Sequence, residues 1–242
     1  MNKLFAVGIG AGSYEGMTVA AVRALEAADL IVGYTAYCDL MRPHFPGKEF
    51  LATPMMREIE RCRAALEAAA AGKVVAVICS GDAGIYGMAS PLFELAGDYG
   101  VAVEVIPGVT AASSGASLLG APLTCDFAAV SLSDLLTPWE VIEKRLEHAA
   151  AGDLVLVLYN PSSHKRADYL QKACEIVLRH RAPDTVCGIA KNIGRAGECA
   201  RVLPLAELAK TEADMFTTVF IGNSETKIAG GKMVTPRGYK NV

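Results

Sequence analysis

A glycine-rich loop in the first half of this 242-residue sequence carries polar side chains suited to a small ligand. It runs from Ser80 to Gly87 (SGDAGIYG) and follows a short apolar run. Its single carboxylate, Asp82, can accept hydrogen bonds from a ribose or an amine, and its glycines let a ligand approach the backbone. Capping of the next helix by Asp82 or Ser80 is the alternative. The loop therefore predicts either a ligand contact or a helix cap.

Two further loops have compositions typical of ligand contacts or of close packing. The loop Gly8–Ser13 (GIGAGS) follows a strand-like run, but the third glycine of a dinucleotide GxGxxG pattern is replaced by Ser13. A tight turn explains its glycines as well as a nucleotide does. The segment 107–117 (PGVTAASSGAS) has small side chains over a whole helical turn, so either a helix or a flat ligand packs against it.

Polar and basic residues also follow apolar runs in the second half of the chain. Asn160 offers a donor and an acceptor in the segment Tyr159–Ser163 (YNPSS), although an Asn-Pro-Ser turn accounts for it equally well. Basic side chains near loop ends could bind a polyanion through charge-assisted hydrogen bonds, or could be ordinary solvated cations. They are Lys165, Arg166, Lys191, Arg195 and Arg237.

Composition excludes several classes of function. The formal charge of −3 provides no overall field for nucleic acid or an anionic membrane. The four histidines are scattered without metal-ligand spacing, and no hydrolase elbow or phosphate-binding P-loop is present. Seven cysteines without a CxxC pair, and an N-terminal segment without a secretory signal pattern, predict a reduced, cytoplasmic protein.

Short apolar runs alternate with helical patterns, and this alternation predicts α/β layers with buried parallel strands. A crossover near Gly120–Thr124, where Pro122 ends the preceding run, predicts two α/β domains, residues 1–120 and 121–242. The helix predicted from Arg57 to Ala71 has Ile59, Cys62, Ala65 and Leu66 at helical spacing. The tail from residue 223 onward lacks a hydrophobic period and is predicted to be partly mobile.

Taken together, three motifs resemble the tetrapyrrole methyltransferase family of cobalamin and sirohaem biosynthesis. They are Val7–Gly12 (VGIGAG), the loop from Ser80 to Gly87, and Pro107–Ala111 (PGVTA). The resemblance covers essentially the whole chain. It implies two α/β domains with a ligand cleft between them, the tetrapyrrole methylase fold, and a homodimer.

Three more motifs are similar to one branch of that family. They are Leu132–Trp139 (LSDLLTPW), Tyr159–Ser163 and Thr235–Tyr239 (TPRGY). This similarity implies methylation of carbon 17 of precorrin-3B, or of its cobalt counterpart, with contraction of the macrocycle. The methyl donor would be S-adenosylmethionine (SAM), and S-adenosylhomocysteine would be the product.

Matching positions imply the residues that contact SAM. They are Ala11, Ser80, Gly81, Asp82, Ile85, Tyr86, Thr110, Ala111, Asn160 and Asn192. The family often has proline where this chain has Ala11, so a contact there would come from the backbone. Substrate acetate and propionate groups would meet Lys165, Arg166, Arg195 or Arg237.

Ring contraction needs proton transfer and hydrogen bonding to oxygen, for which the sequence offers four candidates. They are Asp134, Ser131, Ser133 and Lys191.

Two alternative functions stay open. One is a methyltransferase of the same fold that acts on another precorrin or on a diphthamide precursor, and the other is a nicotinamide-dependent oxidoreductase that uses the Gly8 loop.

Overall fold

The computed structural model describes residues 2–162 and 167–239, which fall into two compact units, Met1–Thr110 and Ala111–Val242. The helix that begins at Ala111 packs on strands of the second unit, whereas the sequence analysis placed it in the first domain. The helix packs on the second unit because its residues are small. Gly115, for example, lets the helix approach Phe220 of the second sheet closely. The predicted limits of 1–120 and 121–242 remain a prediction.

The first unit is a five-stranded parallel sheet with helices on both faces, in the order β3-β2-β4-β1-β5. Its strands are β1 (Lys3–Gly8), β2 (Leu30–Tyr34), β3 (Glu49–Thr53), β4 (Val75–Cys79) and β5 (Ala102–Ile106). Its helices are α1 (Val19–Ala27), α2 (Thr35–Met41), a 3₁₀ turn (Arg42–His44), α3 (Glu58–Ala70) and α4 (Ala89–Tyr99). Neither α2 nor β3 was predicted from the sequence.

Side chains of the central strands alternate between two apolar layers, because successive residues of a strand point to opposite faces. In β4, Val75 and Val77 pack with α3 and α4, while Ala76 and Ile78 pack with α1 and α2. Helix α4 ends at Gly100, which adopts φ +62. Continuous apolar strands are what a sheet covered on both faces requires.

The second unit contains a mixed sheet in the order β10-β9-β11-β8-β7. Its strands are β7 (Phe127–Ser131), β8 (Val155–Tyr159), β9 (Val186–Lys191), β10 (Cys199–Pro204) and β11 (Thr217–Ile221). Its helices are α5 (Ala111–Leu119), α6 (Trp139–Ala151), α7 (Tyr169–Val177) and α8 (Leu205–Leu208). Strands β7 and β8 are parallel, and β11 runs antiparallel to both β8 and β9.

Part of the tail that was predicted to be partly mobile forms a small third sheet. Strands β12 (Lys227–Ala229) and β13 (Lys232–Val234) form a hairpin, and β13 pairs in parallel with β6 (Gly120–Ala121). Met233 and Thr235 are fully buried. Strands of three residues are too short to show a period of two, and the pairing partner lies about a hundred residues earlier in the chain.

The buried face of α3 also differs from the prediction. Cys62, Ala65 and Leu66 are buried as expected, but Ile59 is 49% exposed and Arg61 is buried in its place. Arg61 shares i, i+4 spacing with Ala65, and this spacing places it on the inner stripe of the helix.

Candidate functional site

The three loops singled out in the first unit meet at the carboxyl ends of neighbouring strands. They follow β1, β4 and β5, and β1 pairs with both other strands. The backbones of Gly10 and Gly81 exchange hydrogen bonds of 3.1 and 2.7 Å, which joins the first loop to the second. Both glycines have positive φ, +75 and +68. This edge of the sheet is therefore a single framework built from three loops.

Backbone contact at this edge is too close for larger residues at two positions. A Cβ atom on Gly108 would lie 2.1 Å from the carbonyl oxygen of Gly81 and 2.5 Å from that of Gly8. A Cβ atom on Gly8 would lie 2.6 Å from the same Gly81 oxygen. These glycines are needed for the mutual approach of the strand ends.

Asp82 connects the second loop to the third. Its Oδ1 accepts a hydrogen bond of 2.8 Å from the Gly84 amide, and its Oδ2 accepts one of 3.0 Å from the Gly108 amide. Helix α4 begins after Met88, where no side chain caps it. The predicted alternative, in which Asp82 or Ser80 caps this helix, is therefore wrong. Each carboxylate oxygen keeps a second lone pair for a ligand donor.

The tip of the second loop presents side chains to solvent in a strained conformation. Ile85 is 42% exposed and Tyr86 is 56% exposed. Tyr86 has φ +54, a region that costs an aromatic residue about 1–2 kcal/mol. Backbone strain of this kind is concentrated at ligand contacts. Ala11, Ser80 and Thr110 are half-buried around the same edge.

The helices that follow two neighbouring strands of this sheet pack on opposite faces. Strands β1 and β4 are adjacent, but α1, which follows β1, packs on one face and α4, which follows β4, packs on the other. In open α/β sheets, ligands bind outside the carboxyl ends of the strands at a reversal of this kind.

In the second unit, predicted residues lie at the carboxyl ends of β7, β8 and β9. These ends share one edge because β8 and β9 both run antiparallel to β11. The amide of Asn160 donates to the hydroxyl of Ser131 at 2.9 Å. Asn160 and Asn192 both adopt φ +52, which asparagine tolerates better than most residues.

Tyr159, which the sequence analysis did not select, fixes the start of α5. Its hydroxyl accepts a hydrogen bond of 3.0 Å from the Ala112 amide. The predicted contact Ala111 begins the same helix. This bond connects the start of α5 to the side chain of the last residue of β8.

Asp134 is held by an aromatic pair that the sequence analysis also missed. The hydroxyl of Tyr169 donates to its Oδ2 at 2.7 Å, and the Tyr169 ring packs against Trp139 with centroids 4.4 Å apart. Ser131 accepts a bond of 3.3 Å from the Ser133 amide, so the loop after β7 is fixed at its base. The Asp134 carboxylate thus has a set orientation.

Lys191 forms an ion pair of 2.7 Å with Asp214, a partner outside the predicted set. The hydrogen bond to Asp214 raises the pKa of Lys191 above its ordinary value. The lysine therefore remains protonated at neutral pH and can donate a hydrogen bond or a proton, but it cannot act as a base.

Two of the four predicted substrate cations are described. The guanidinium of Arg195 lies 5.4 Å from the centre of the Phe216 ring, and that of Arg237 lies 5.9 Å from the Tyr239 ring. Lys165 and Arg166 lie outside the described residues. The roles of all predicted site residues remain predictions.

The first loop does not have the backbone of a dinucleotide site. The Ile9 amide donates to the Cys79 carbonyl and the Gly10 amide to the Gly81 carbonyl. A phosphate cradle needs such amides free at the start of a helix, whereas α1 begins only at Val19. The oxidoreductase alternative therefore loses its structural basis.

The thiol that precedes the second loop is buried, and potential metal ligands in the described ranges are not grouped. Burial raises the pKa of Cys79, the residue before Ser80, to about 11, so it remains a thiol at neutral pH. Across residues 2–162 and 167–239, no group of three or more histidine, cysteine or carboxylate side chains could hold a metal ion.

Comparison with known protein families shows which family this chain belongs to. The family model of tetrapyrrole (corrin/porphyrin) methylases matches residues 3–209. The chain belongs to the tetrapyrrole methylases. The predicted family, the α/β fold class and the assignment as a methyltransferase are confirmed.

Close relatives of this tetrapyrrole methylase are named for one pathway. A probable cobalt-factor III C(17)-methyltransferase of Salmonella typhimurium is 46% identical over 98% of this chain and 99% of its own length. The cobalamin biosynthesis protein CbiHC of Archaeoglobus fulgidus is 49% identical over 99% of this chain. The chain spans about half the length of that relative, 53%.

A solved structure agrees with the fold of this methylase over its whole length. The crystal structure of the methyltransferase CobJ has a TM-score of 0.90 at 36% identity, and the match covers 98% of this chain and 100% of the other. Among the helices of the described ranges, none has the length and apolar content needed to cross a bilayer.

Proposed function

We propose that this methylase transfers a methyl group from SAM to carbon 17 of cobalt-factor III, with contraction of the macrocycle, in cobalamin biosynthesis. The observation that carries the proposal is the 46% identity to a probable cobalt-factor III C(17)-methyltransferase, because that match extends over nearly the full length of both chains. The match to the methyltransferase CobJ supports the same reaction class.

The loops of the first unit have the chemistry to hold an adenosyl ligand. Asp82 can accept bonds from ribose hydroxyls or an amine, and Ile85 and Tyr86 offer exposed apolar surface for a flat base. Asn160 and the turn at Asn192 offer polar groups in the second unit. The remaining proposed contacts are Ala11, Ser80, Gly81, Thr110 and Ala111.

SAM, when bound, supplies an activated methyl group. The chain then has to hold the acceptor carbon in line with that group, and alignment of this kind supplies up to about 7–11 kcal/mol of barrier reduction. Binding and orientation by fixed loops are therefore sufficient for the transfer itself.

Contraction of the ring would place further demands on the second unit. Asp134, oriented by Tyr169, is suited to accept or return a proton. Lys191 is protonated and is suited to donate to a substrate oxygen, as are the hydroxyls of Ser131 and Ser133. The substrate carboxylates would meet Arg195, Arg237, Lys165 and Arg166.

The proposed setting of this reaction is the cytoplasm, with the enzyme acting as a homodimer. Six of the seven cysteines are buried or half-buried, and all seven are free thiols, as is typical of a reducing compartment. The measurement that tests the dimer is the mass in solution by light scattering.

The reaction itself is tested with purified protein and SAM that carries a carbon-13 methyl group. Cobalt-factor III and metal-free precorrin-3B are supplied separately, and the products are analysed by mass spectrometry and carbon NMR. The expected product has one added methyl group at carbon 17 of a contracted ring, formed faster from the cobalt substrate. A methyl group at another carbon, or on a diphthamide precursor offered in parallel, would overturn the assignment.

Calorimetry with SAM, S-adenosylhomocysteine and NAD tests the cofactor separately. Binding of both adenosyl compounds without binding of NAD is expected. If NAD alone binds, the methyltransferase proposal fails at its first step.

A further inference from the structure

Arg61 is a buried cation that the proposed reaction does not use. It lies on the inner face of α3 and is only 3% exposed. Arginine is almost never buried to this degree without a carboxylate partner, because removing the guanidinium from water costs more than neutral contacts return. In some proteins a buried charged group of this kind fixes the conformation of its surroundings.

The partners of Arg61 are neutral and come from two distant segments. Its Nε donates to the Thr53 hydroxyl at 2.8 Å and one terminal nitrogen donates to the Pro54 carbonyl at 3.2 Å. The other terminal nitrogen contacts the sulfur of Met88 at 3.7 Å. In the described part of the chain, none of the ion pairs includes Arg61. The guanidinium therefore joins the end of β3 to the start of α4.

Met88 closes the loop from Ser80 to Gly87. Met88 is buried and belongs to the same apolar cluster as Cys79, the residue just before this loop, and Ala83 within it. The next amide, that of Ala89, donates to the Ala83 carbonyl at 3.0 Å. Met88 therefore packs with residues just before and within the loop, and Arg61 contacts its side chain.

We propose that Arg61 is a positioning residue that fixes the loop from Ser80 to Gly87 in its ligand-binding form. The proposal deepens the proposed function, on which it rests for the identity of the ligand. Arg61 acts through Met88 and touches neither the donor nor the substrate. Without the guanidinium, Ile85 and Tyr86 at the tip of the loop lose their fixed positions, so SAM affinity should fall while the methyl-transfer step is unchanged.

The test compares Arg61→Met with Arg63→Met, which removes the same group from the exposed residue two positions along α3. Arg61→Met should raise the KM and the dissociation constant for SAM about tenfold and leave kcat within about twofold, as loss of hydrogen bonds from a charged donor predicts. Arg63→Met should leave all three unchanged. Arg61→Lys, which keeps the charge, should restore part of the affinity.

Hydrogen exchange provides a readout that needs no ligand. In Arg61→Met, amides from residues 80 to 88 should exchange faster, while those of the loop after β7 should not change. Met88→Leu, which removes only the sulfur contact, should produce a smaller change in the same amides. If Arg61→Met does not fold, Arg61→Lys and Met88→Leu decide the question.

Separate outcomes overturn the two proposals. Normal exchange in the loop and wild-type SAM affinity in the Arg61 variants would overturn the positioning role. Absence of SAM binding by the wild-type protein would overturn the proposed function, and the exchange data would still test the role of Arg61.

Discussion

Asp82 shows how one carboxylate can serve both structure and ligand binding. Its two oxygens satisfy the amides of Gly84 and Gly108, which belong to different loops. Each oxygen can still accept one more hydrogen bond. A ligand that donates to Asp82 would therefore contact a group whose position is already set by two backbone bonds, and little entropy is lost on binding.

Asp134 is the residue for which an acid/base role can be tested most directly. Asp134→Asn keeps the shape of the side chain and can still accept the hydrogen bond from Tyr169, but it cannot take up a proton. Formation of the contracted product should fall about 10²-fold, the usual size of general acid-base catalysis, with SAM affinity unchanged. Product formation is measured by mass spectrometry.

Asp168→Asn is the matched control for this change. Asp168 is an exposed carboxylate one residue before Tyr169 and pairs with Lys172 on the surface. Asp168→Asn should leave the rate of product formation unchanged. Full contraction activity in Asp134→Asn would exclude the acid/base role.

The Lys191–Asp214 pair predicts a defined pH dependence of stability. Burial opposes ionisation of Asp214, but hydrogen bonds from Lys191 and Thr217 outweigh it and lower the pKa of Asp214, while Asp214 raises the pKa of Lys191. The carboxylate thus contributes stability above its unfolded pKa of about 3.9 and loses it as pH falls through the lower folded value. The lysine contributes below about pH 10.4 and loses its contribution as pH rises through the higher folded value.

The wild-type protein should therefore exceed Asp214→Asn in free energy of unfolding by a constant amount from about pH 5 to 9. Below about pH 4 the difference should shrink, because the wild-type carboxylate becomes protonated and is then neutral, as the asparagine of the variant is at every pH. Urea denaturation at a series of pH values measures this difference. A difference that increased on acidification would contradict the assigned direction of the Asp214 shift.

At the scale of elements, strands β1 and β4 and their loops were predictable because buried parallel strands are short apolar runs that end in glycine-rich segments. Strand β5 was predicted as well, although it lies at the edge of the sheet and is partly exposed. Helix α2 and strand β3 were missed because their burial depends on neighbours far along the chain. The same reason explains the exposed Ile59 and the buried Arg61, since spacing alone cannot decide which edge of an apolar stripe faces the sheet.

The meeting of three strand ends predicts a strong effect of a single methyl group. Gly108→Ala would place its Cβ 2.1 Å from the Gly81 carbonyl oxygen, and backbone cannot move aside as a side chain can. The free energy of unfolding should fall by about 1–3 kcal/mol or more, as overpacking does elsewhere, and SAM affinity should fall with it. Urea denaturation and calorimetry measure the two effects.

Gly97→Ala, in helix α4, is the control, since no atom lies within 4 Å of its added Cβ. It should stabilise the protein by up to about 1 kcal/mol through helix propensity. If Gly108→Ala and Gly97→Ala changed the free energy of unfolding by the same amount, the strand ends would be able to separate at no cost in stability.

At the scale of the whole molecule, the positions of the candidate residues were predictable but most of their partners were not. Strand ends of one sheet share an edge, so Ser131, Asn160 and Lys191 could be placed from sequence. Tyr169 and Asp214 could not, because nothing in local spacing shows which side chain from another element will reach them. Asp134 and Lys191 are defined chemically by these nonlocal contacts.

The net charge predicts how salt affects the binding of an anionic substrate. With a formal charge of −3 the overall field does not attract a polycarboxylate, so attraction must come from local cations such as Arg195 and Arg237. Arg195→Gln with Arg237→Gln should weaken substrate binding strongly at low salt and weakly at high salt, because the screening length falls from about 30 Å at 0.01 M to about 3 Å at 1 M. Arg23→Gln, an exposed change on α1, should not affect substrate binding at either salt concentration.

Substrate titrations across this salt range measure the effect. A loss of affinity independent of salt would mean that Arg195 and Arg237 act through packing rather than charge.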